Sequence, residues 1–369
     1  MTGLVLVWIV LPLLVSFGVC SLMIRLGPQD APDGARKMQA APVPSAGGVG
    51  ILAGLAAAML VGLTLLPQVP GAGLGAIAMT GLTGPLVFVL IAGALGYADD
   101  CHNLAAKPKL AVLAVGAVLA AILGPQISRI WLPGAAGSGF EVWPVLAVAG
   151  VALWLFVMAN AVNFMDGANG IALGSAAIML MALALLALPG ALNSPREGGV
   201  VVVLILAAAV AAVAGFLAWN LAGKLYAGDT GSLAIGAVLA GAGAVVAQTY
   251  SVWVPAALAL PFLIDVLLTL AWRAKRGRPL MQAHRDHAYQ LLLRAGWRHG
   301  QVAGVWWAMT ALCAGAVLLA PASGIFGLFG FSWTPSLSFM VFAGLLAFGT
   351  GLWTWQRMTL GSRLEAEGL

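Results

Sequence analysis

Charged residues are the scarcest class in this 369-residue sequence. Asp, Glu, Lys and Arg together make up 8% of it, whereas a typical soluble domain has about 25%. Hydrophobic residues make up 62%, and the mean hydropathy is +1.02. So few charges cannot cover a water-exposed surface, which argues against a soluble enzyme. We therefore predict a single integral membrane domain over residues 1–369.

Cysteine pairs and alternating strand patterns are also lacking. The three cysteines, Cys20, Cys101 and Cys313, are odd in number and far apart, which argues against a disulfide framework and against a cysteine metal site. The apolar runs do not alternate over about ten residues, as the strands of a membrane β-barrel would. The first 24 residues lack a basic start and are long enough to span, so we expect no cleaved signal peptide.

Long runs of Ala, Leu, Val and Gly occupy most of the chain. A helix needs about 20 such residues to cross roughly 30 Å of hydrocarbon. The sequence predicts an all-α polytopic membrane protein with about eleven transmembrane helices. These lie near residues 3–24, 48–66, 77–97, 109–124, 143–162, 170–188, 199–219, 232–248, 252–272, 301–321 and 336–355.

Basic residues are divided unevenly between the connections of these helices. All but Arg129 and Arg196 of the 17 Lys and Arg residues lie in alternate connections. The positive-inside rule then places the N-terminus outside and the C-terminus in the cytoplasm. We expect catalytic cytoplasmic loops near 25–47, 98–109, 160–170, 220–232 and 273–300.

Six acids follow the same division as the basic residues. A carboxylate near hydrocarbon costs free energy unless it is paired, hydrated or bound to a metal. We therefore expect the six to share one polar cavity, although each could simply mark the end of a span. They are Asp99, Asp100, Asp166, Asp229, Asp265 and Asp286.

Two adjacent carboxylates, Asp99 and Asp100, end the third predicted span in "ADDCHNLAAKPKL". On a helical continuation, Asp100, Asn103 and Lys107 lie on one face. Adjacent carboxylates can hold a hard cation and orient a phosphate, with Lys107 or Lys109 balancing the charge. A solvated helix end explains the pair equally well.

The segment "NAVNFMDGANGIA" spaces Asn160, Asn163, Asp166 and Asn169 by threes. This spacing places polar groups along one ridge of a helix end. The two glycines of the segment allow a tight turn whose backbone can approach a ligand closely. Helix capping followed by a glycine turn is the structural alternative.

The segment "YAGDTGSLAIG" places Asp229, Thr230 and Ser232 at the start of the eighth span. Free N–H groups and the helix dipole favour an anion there, so capping accounts for these residue types. Capping does not account for Gly228 and Gly231. These glycines would free Asp229 and the nearby backbone to meet a metal or a phosphate.

The longest predicted cytoplasmic connection contains "HRDHAYQ", in which Arg285 and Asp286 separate His284 from His287. Histidine and arginine can donate to several diphosphate oxygens and neutralise charge that builds in the transition state. Such spacing also permits a metal site, but the acids elsewhere favour magnesium over zinc. We interpret the basic run before it as a lipid-headgroup and topology signal: Arg273, Lys275, Arg276 and Arg278.

The connection between the first two spans, "DGARKMQAAPVPSAGG", contains prolines and glycines that predict a structured turn. Arg36 and Lys37 are candidates for phosphate contact. An ordinary basic cytoplasmic loop is the alternative.

In their order along the chain, these segments resemble the polyprenyl-phosphate N-acetylhexosamine-1-phosphate transferase family. The resemblance covers nearly the whole chain and rests on "ADDCHNLAAKPKL", "NAVNFMDGANGIA", "AGDTGSLAIG" and "HRDHAYQ". It implies a multi-pass enzyme of the bacterial inner membrane with its active site facing the cytoplasm. Such an enzyme moves sugar-1-phosphate from a UDP-N-acetylhexosamine to undecaprenyl phosphate and releases UMP. Its partners include the lipid bilayer and no nucleic acid, and a homodimer is one assembly left open.

The resemblance also implies Mg²⁺ dependence, with Mn²⁺ as a candidate substitute. The expected metal ligands are Asp229, Asp99 and Asp100, and the expected catalytic residues are Asp99, Asp100, His284, Arg285 and His287. The expected substrate contacts are Arg36, Lys37, Lys107, Lys109, Asn160, Asn163, Asp166 and Asn169. We expect direct attack by the lipid phosphate, with Asp99 as the base if one is needed; a phospho-enzyme stays open.

The "HRDHAYQ" segment resembles the branch that starts O-antigen or capsule chains on FucNAc, QuiNAc or GlcNAc. The muramyl-pentapeptide branch usually shows three successive histidines, which are absent here. Asn169 stands where many members have Asp, Gln39 stands where His is common, and Ser45-Ala46 replaces Arg-Gly. A phospho-MurNAc-pentapeptide transferase is the alternative enzyme. A membrane transporter is a weaker alternative, since its acids would lie near the middle of spans.

Overall fold

The computed structural model describes residues 2–30, 42–65, 74–132, 139–193, 198–282, 284–319 and 335–366, and these are mostly helical. The helices are α1 (Thr2–Val5), α2 (Leu11–Leu26), α3 (Gly47–Leu65), α4 (Leu74–Met79), α5 (Thr83–His102), α6 (Ala106–Ile122), α7 (Pro144–Met165), α8 (Ile171–Asn193), α9 (Gly199–Asn220), α10 (Gly228–Thr249), α11 (Trp253–Lys275), α12 (Ala288–Arg294), α13 (His299–Leu319), α14 (Pro335–Gln356) and α15 (Ser362–Ala366). Two π-helical segments, Leu6–Val10 and Arg357–Gly361, join α1 to α2 and α14 to α15. The predicted all-α polytopic membrane fold is confirmed.

Nine helices within the described ranges are long and apolar enough to cross a membrane, and each overlaps one predicted span. The other two predicted spans, near 48–66 and 109–124, correspond to α3 and α6. The apolar stretch of α3 covers Gly47–Gly62, and α6 has 17 residues. A helix of that length rises about 26 Å, at the lower limit for a transmembrane helix. The count of about eleven and the orientation of the termini stay predictions.

Two short antiparallel hairpins accompany the helices. Strand β1 (Gln29–Asp30) pairs with β2 (Val43–Pro44), on either side of a stretch outside the described residues. Strand β3 (Arg129–Ile130) pairs with β4 (Phe140–Glu141) at the opposite end of α7 from the predicted motifs.

Helix α10 lies at the centre of the bundle and packs against α5, α7, α3 and α8. All of its residues from 230 to 244 are buried. Many of them are Gly or Ala, which lets neighbouring backbones approach closely where there is no water to drive association. Its N-terminal end, which carries Asp229, therefore has several helices around it.

Two glycines fix the start of α10 against α3. A Cβ on Gly48 would lie 2.1 Å from the backbone nitrogen of Gly231, so no larger residue fits at this crossing. The Gly48 N–H donates to the carbonyl of Ala227 at 2.8 Å, and the Gly47 N–H donates to the carbonyl of Tyr226 at 2.9 Å. The segment before Asp229 is thus held by backbone hydrogen bonds as well as by close packing.

Candidate active site

A carboxylate from α5 caps the start of α10. The Asp100 oxygens accept the backbone N–H groups of Asp229 (2.8 Å) and Thr230 (3.0 Å) and the Thr230 hydroxyl (2.6 Å). N–H groups in the first turn of a helix have no partner within it, and the helix dipole favours a negative charge there. Asp100 therefore positions the segment that carries Asp229.

Lys109 lies between two carboxylates from different helices. Its Nζ is 2.9 Å from Asp99 Oδ2 and 2.5 Å from Asp229 Oδ2. Asp99 Oδ1 also accepts the N–H of Leu104 at 2.8 Å, in the turn where Asn103 adopts a positive φ of 49°. The three charged side chains each keep part of their surface exposed, so a ligand can reach them.

The turn after α7 brings a fourth carboxylate to this cluster. Burial raises the pKa of Asp166 well above its usual range, and the negative charges of Asp229 and Asp100 raise it further. Asn163 Nδ2 donates to Ser232 Oγ at 3.0 Å, which ties the end of α7 to the start of α10. Four of the six acids that were predicted to share one cavity thus lie here.

Three side chains outside the predicted motifs hold the Asn169–Gly170 turn. The Asn169 N–H donates to His299 Nδ1 at 3.3 Å, and the Gly170 N–H donates to Asn220 Oδ1 at 2.7 Å. Trp307 Nε1 donates to the Gly170 carbonyl at 2.8 Å. Asn220 and His299 lie at the ends of the predicted loops 220–232 and 273–300 but were given no role, and Trp307 stands among apolar neighbours on α13, so no motif identified these three side chains.

The remaining predicted substrate residues have other surroundings. Asn160 Nδ2 donates to the Phe156 carbonyl within α7 at 2.8 Å. Lys107 is exposed in the first turn of α6. Arg36 and Lys37 lie outside the described residues. The roles of these four stay predictions.

His284 opens the histidine loop, which we define as residues 284–287. Burial, together with the electrostatic effect of His287 and Arg273, lowers the pKa of His284 to about 4. The backbone N–H of Asp286 points to His284 Nδ1 at 3.4 Å. Because Nδ1 accepts, we assign the proton of the neutral ring to Nε2, which can then donate to a ligand oxygen.

Asp286 holds the histidine loop through its carboxylate. It pairs with Arg273, and Arg278 Nη1 lies 3.6 Å from its Oδ1. Arg273 is only 5% exposed, so its interpretation as a lipid-headgroup contact is wrong. Arg285 is half-buried, and its carbonyl accepts Arg294 Nη1 at 3.3 Å.

His287 precedes α12 and is buried against α11. Its Nδ1 lies 3.5 Å from Asp265 Oδ1, and this carboxylate also accepts the N–H groups of Ala288 (2.7 Å) and Tyr289 (3.4 Å). The Tyr289 hydroxyl donates to the Phe164 carbonyl at 3.2 Å, which links the loop to the end of α7. The fifth and sixth acids therefore organise the histidine loop and do not join the carboxylate cluster.

The carboxylate cluster fits a hard divalent cation. Besides burial, the negative charges of Asp229 and Asp100 raise the pKa of Asp166, so the cluster presents negative charge that attracts a cation. Among the described residues, no three His, Cys, Asp or Glu side chains form a ready-made metal site. Mg²⁺ commonly uses only one or two carboxylates and completes its shell with water and substrate phosphate, and Asp229 and Asp99 are placed to supply these two.

Changing Asp100 to Asn should lower thermal stability as well as turnover. An amide NH₂ would face the two N–H donors of the first turn of α10, and loss of a helix cap costs about 1 kcal/mol. We expect a lower melting temperature of the purified protein, measured by light scattering or intrinsic fluorescence. An unchanged melting temperature would contradict the capping role.

Comparison with known proteins identifies the family. Residues 82–247, which contain the carboxylate cluster, match the model of glycosyl transferase family 4. The chain is 31% identical over 307 residues to the phospho-N-acetylmuramoyl-pentapeptide-transferase of Mycobacterium leprae, covering 74% of this chain and 82% of that protein. It is 29% identical over 312 residues to the decaprenyl-phosphate N-acetylglucosaminephosphotransferase of Mycobacterium tuberculosis, covering 79% and 74%.

A third relative is the probable undecaprenyl-phosphate N-acetylglucosaminyl 1-phosphate transferase of Bacillus subtilis. It is 27% identical over 284 residues, which cover 75% of this chain and 73% of that protein. The relatives span both branches that the sequence left open. The chain therefore belongs to glycosyl transferase family 4, the polyprenyl-phosphate N-acetylhexosamine-1-phosphate transferases.

Proposed function

We propose that this protein transfers an N-acetylhexosamine-1-phosphate from a UDP-sugar to undecaprenyl phosphate and releases UMP, with FucNAc, QuiNAc or GlcNAc as the sugar. The product would start an O-antigen or another cell-envelope polysaccharide at the cytoplasmic face of the inner membrane. The observation that carries this proposal is the group of Asp99, Lys109 and Asp229, with Asp166 beside it.

The chemistry exchanges one phosphoanhydride bond for another. An oxygen of the lipid phosphate forms a bond to the β-phosphorus, and the bond from that phosphorus to the bridging oxygen breaks, so that UMP leaves with the oxygen. The task of the protein is to align these groups and offset crowded negative charge. A phosphate monoester is largely ionised near neutral pH, so the attack requires no strong base.

The residues of the chain divide this work between two clusters. Mg²⁺, when bound, would neutralise diphosphate charge and polarise the phosphorus that is attacked. Asp229 and Asp99 would hold the cation, while Lys109 would balance the carboxylates. His284 would donate from Nε2 to a diphosphate oxygen, and Arg285 would meet another.

An assay of purified protein tests the proposal directly. The protein in detergent or nanodiscs is incubated with Mg²⁺, undecaprenyl phosphate and each of a panel of UDP-sugars, and UMP release is followed. We expect release that depends on the lipid, and a chelator should abolish it. Lipid-independent release or no release with any sugar would contradict the proposal.

A phospho-MurNAc-pentapeptide transferase is the second candidate. Relatives that are 29–31% identical over most of the chain carry that name. The same panel separates the two when it includes UDP-MurNAc-pentapeptide. Turnover of this substrate alone would replace the first proposal by the second.

The lowered pKa of His284 predicts how the stability of the protein depends on pH. The folded pKa of about 4 lies below the ordinary 6.5, so between these values the unfolded chain binds more protons. Stability supplied by this group is therefore lost as the pH falls from about 6.5 towards 4.

If the neutral His284 ring is the donor, kcat/KM should show an acid limb from His284 near pH 4. In His284→Ala, turnover should fall at least about tenfold. Full activity of this variant would remove His284 from the mechanism.

A further inference from the structure

Two neighbouring side chains from the end of α14 contact the backbone on either side of His287. Gln356 Nε2 donates to the carbonyl of Ala288 at 2.8 Å. Arg357 Nη2 donates to the carbonyl of Asp286. Neither residue belongs to a predicted motif, and Arg357 entered the prediction of topology only as one of the basic residues on the cytoplasmic side.

Aromatic rings on two helices hold the Arg357 guanidinium in place. Its Cζ lies 4.4 Å from the ring centroid of Trp272 on α11 and 4.9 Å from that of Trp353 on α14. Arg357 Nη2 is also 3.4 Å from Thr269 Oγ1. A planar guanidinium can stack on a ring and donate in a fixed direction at the same time, whereas a lysine ammonium is a point charge without this fork geometry. The contact with the loop is therefore directional as well as electrostatic.

The backbone changes from α-helix to π-helix between Gln356 and Arg357. Arg357–Gly361 is π-helical, and such short π segments are frequent at functional sites. The Thr359 hydroxyl donates to the Trp355 carbonyl at 2.9 Å, and the Ser362 hydroxyl donates to the Met358 carbonyl. Two hydroxyl side chains thus donate to carbonyls just before and within this segment.

Asp286 connects this segment to His284. Its carbonyl accepts from Arg357, its carboxylate pairs with Arg273, and its N–H points to His284 Nδ1. Fixing the peptide unit after Asp286 limits the rotation of the residue whose N–H marks Nδ1 as the acceptor. The position of His284 therefore depends on a contact from the last membrane helix.

We propose that Arg357 is a positioning residue for the histidine loop: by holding the Asp286 carbonyl it keeps His284 in the tautomer and place from which Nε2 can donate. The proposal rests on the transfer function proposed above. Arg357 itself is not expected to touch the substrate.

The first test compares Arg357→Ala and Arg357→Lys with the wild-type enzyme in the UMP-release assay. We expect kcat to fall about tenfold in Arg357→Ala while KM for the UDP-sugar changes less than about twofold, because a positioning contact acts on the transition state. Arg357→Lys should retain more activity than Arg357→Ala. Equal kcat values for wild type and Arg357→Ala would overturn the proposal.

The second test measures the pKa of His284 by NMR and does not depend on enzyme turnover. The chain has four histidines, so ¹³C-labelled histidine gives few NMR signals, and His284→Gln assigns the one that matters. In Arg357→Ala the pKa of His284 should rise from about 4 towards 6.5, because a loosened loop admits water. The charged and titratable groups that face this ring are His287, Arg273, Asp286 and Asp265. Removing Arg357 leaves all four in the chain.

Controls separate a local effect from a general one. Arg298→Ala removes the same charge from an exposed site between α12 and α13, and we expect wild-type kcat and His284 titration. If Arg357→Ala does not fold, Gln356→Ala tests the second contact and should move both readouts in the same direction by less. An unchanged His284 titration in the folded variants overturns the positioning role. A wild-type enzyme that releases no UMP with any sugar would contradict the proposed function and leave the NMR test intact.

Discussion

Replacing Asp229 by Asn is expected to lower turnover about hundredfold while the protein stays folded. The Asp229 carboxylate lies 2.5 Å from Lys109 Nζ and beside Asp99 and Asp166. An amide of the same shape keeps the packing but removes the negative charge that would hold a cation against the diphosphate. Loss of one preorganised electrostatic contact at a reacting centre typically costs a factor of about 10²–10³ in kcat. Initial rates of UMP release over a range of Mg²⁺ concentrations measure this effect.

The control for Asp229→Asn is Glu141→Gln. Glu141 is exposed and pairs with Arg129 across the β3–β4 hairpin, at the other end of α7 from the carboxylate cluster. It loses the same charge, so we expect unchanged turnover. Normal activity of Asp229→Asn would exclude this carboxylate as a metal ligand, whatever the other variants do.

The start of α10 illustrates how much of the site the sequence could predict. The residue types in "YAGDTGSLAIG" predicted a helix N-terminus that meets an anion, and the structure has such an N-terminus. Local capping by Asp229, Thr230 or Ser232 was the alternative, but Asp100 from another helix accepts the first-turn N–H groups. The Ser232 hydroxyl instead donates to the Gly228 carbonyl at 2.9 Å. The spacing of residues within one segment therefore indicates that an anion meets the helix N-terminus, but it does not indicate which residue of another helix supplies that anion.

The glycines beside Asp229 have a packing role that the sequence did not predict. We expected Gly228 and Gly231 to free the backbone for a ligand. Gly231 meets Gly48 of α3 at a close crossing, and Gly228 has a φ of 69° and lies against Ser45 and Asp100. A helix crossing brings together residues far apart in sequence, so a single sequence without known contacts could not reveal it.

The histidine loop has two structural partners, Arg273 and Arg357, that the sequence pattern did not identify. Counting Arg273 and Arg357 as topology signals was reasonable, because basic residues follow the cytoplasmic side in membrane proteins. Both side chains instead hold Asp286 from α11 and from the end of α14. In a chain with 8% charged residues, a charge that satisfies the topology rule can also be a structural partner.

Replacing Lys109 by Met should separate the role of the lysine ammonium from that of a bound divalent cation at the carboxylate cluster. The variant leaves Asp99 and Asp229 close together with no cation between them, so their repulsion should lower the melting temperature in the presence of a chelator. A divalent cation can take up the same position between the carboxylates, so Mg²⁺ should raise the melting temperature more in Lys109→Met than in the wild type.

Turnover of Lys109→Met completes this test. We expect turnover of this variant to stay at least about tenfold below the wild type at saturating Mg²⁺. A bound cation cannot replace the lysine ammonium as a hydrogen-bond donor. Lys107→Met is the matched control, since this exposed lysine lies two residues away and its loss should leave the response to Mg²⁺ unchanged. An equal shift of melting temperature with Mg²⁺ in the wild type and in Lys109→Met would mean that the ion binds away from Asp99 and Asp229. Binding elsewhere would contradict the proposal that Asp99 and Asp229 hold the metal.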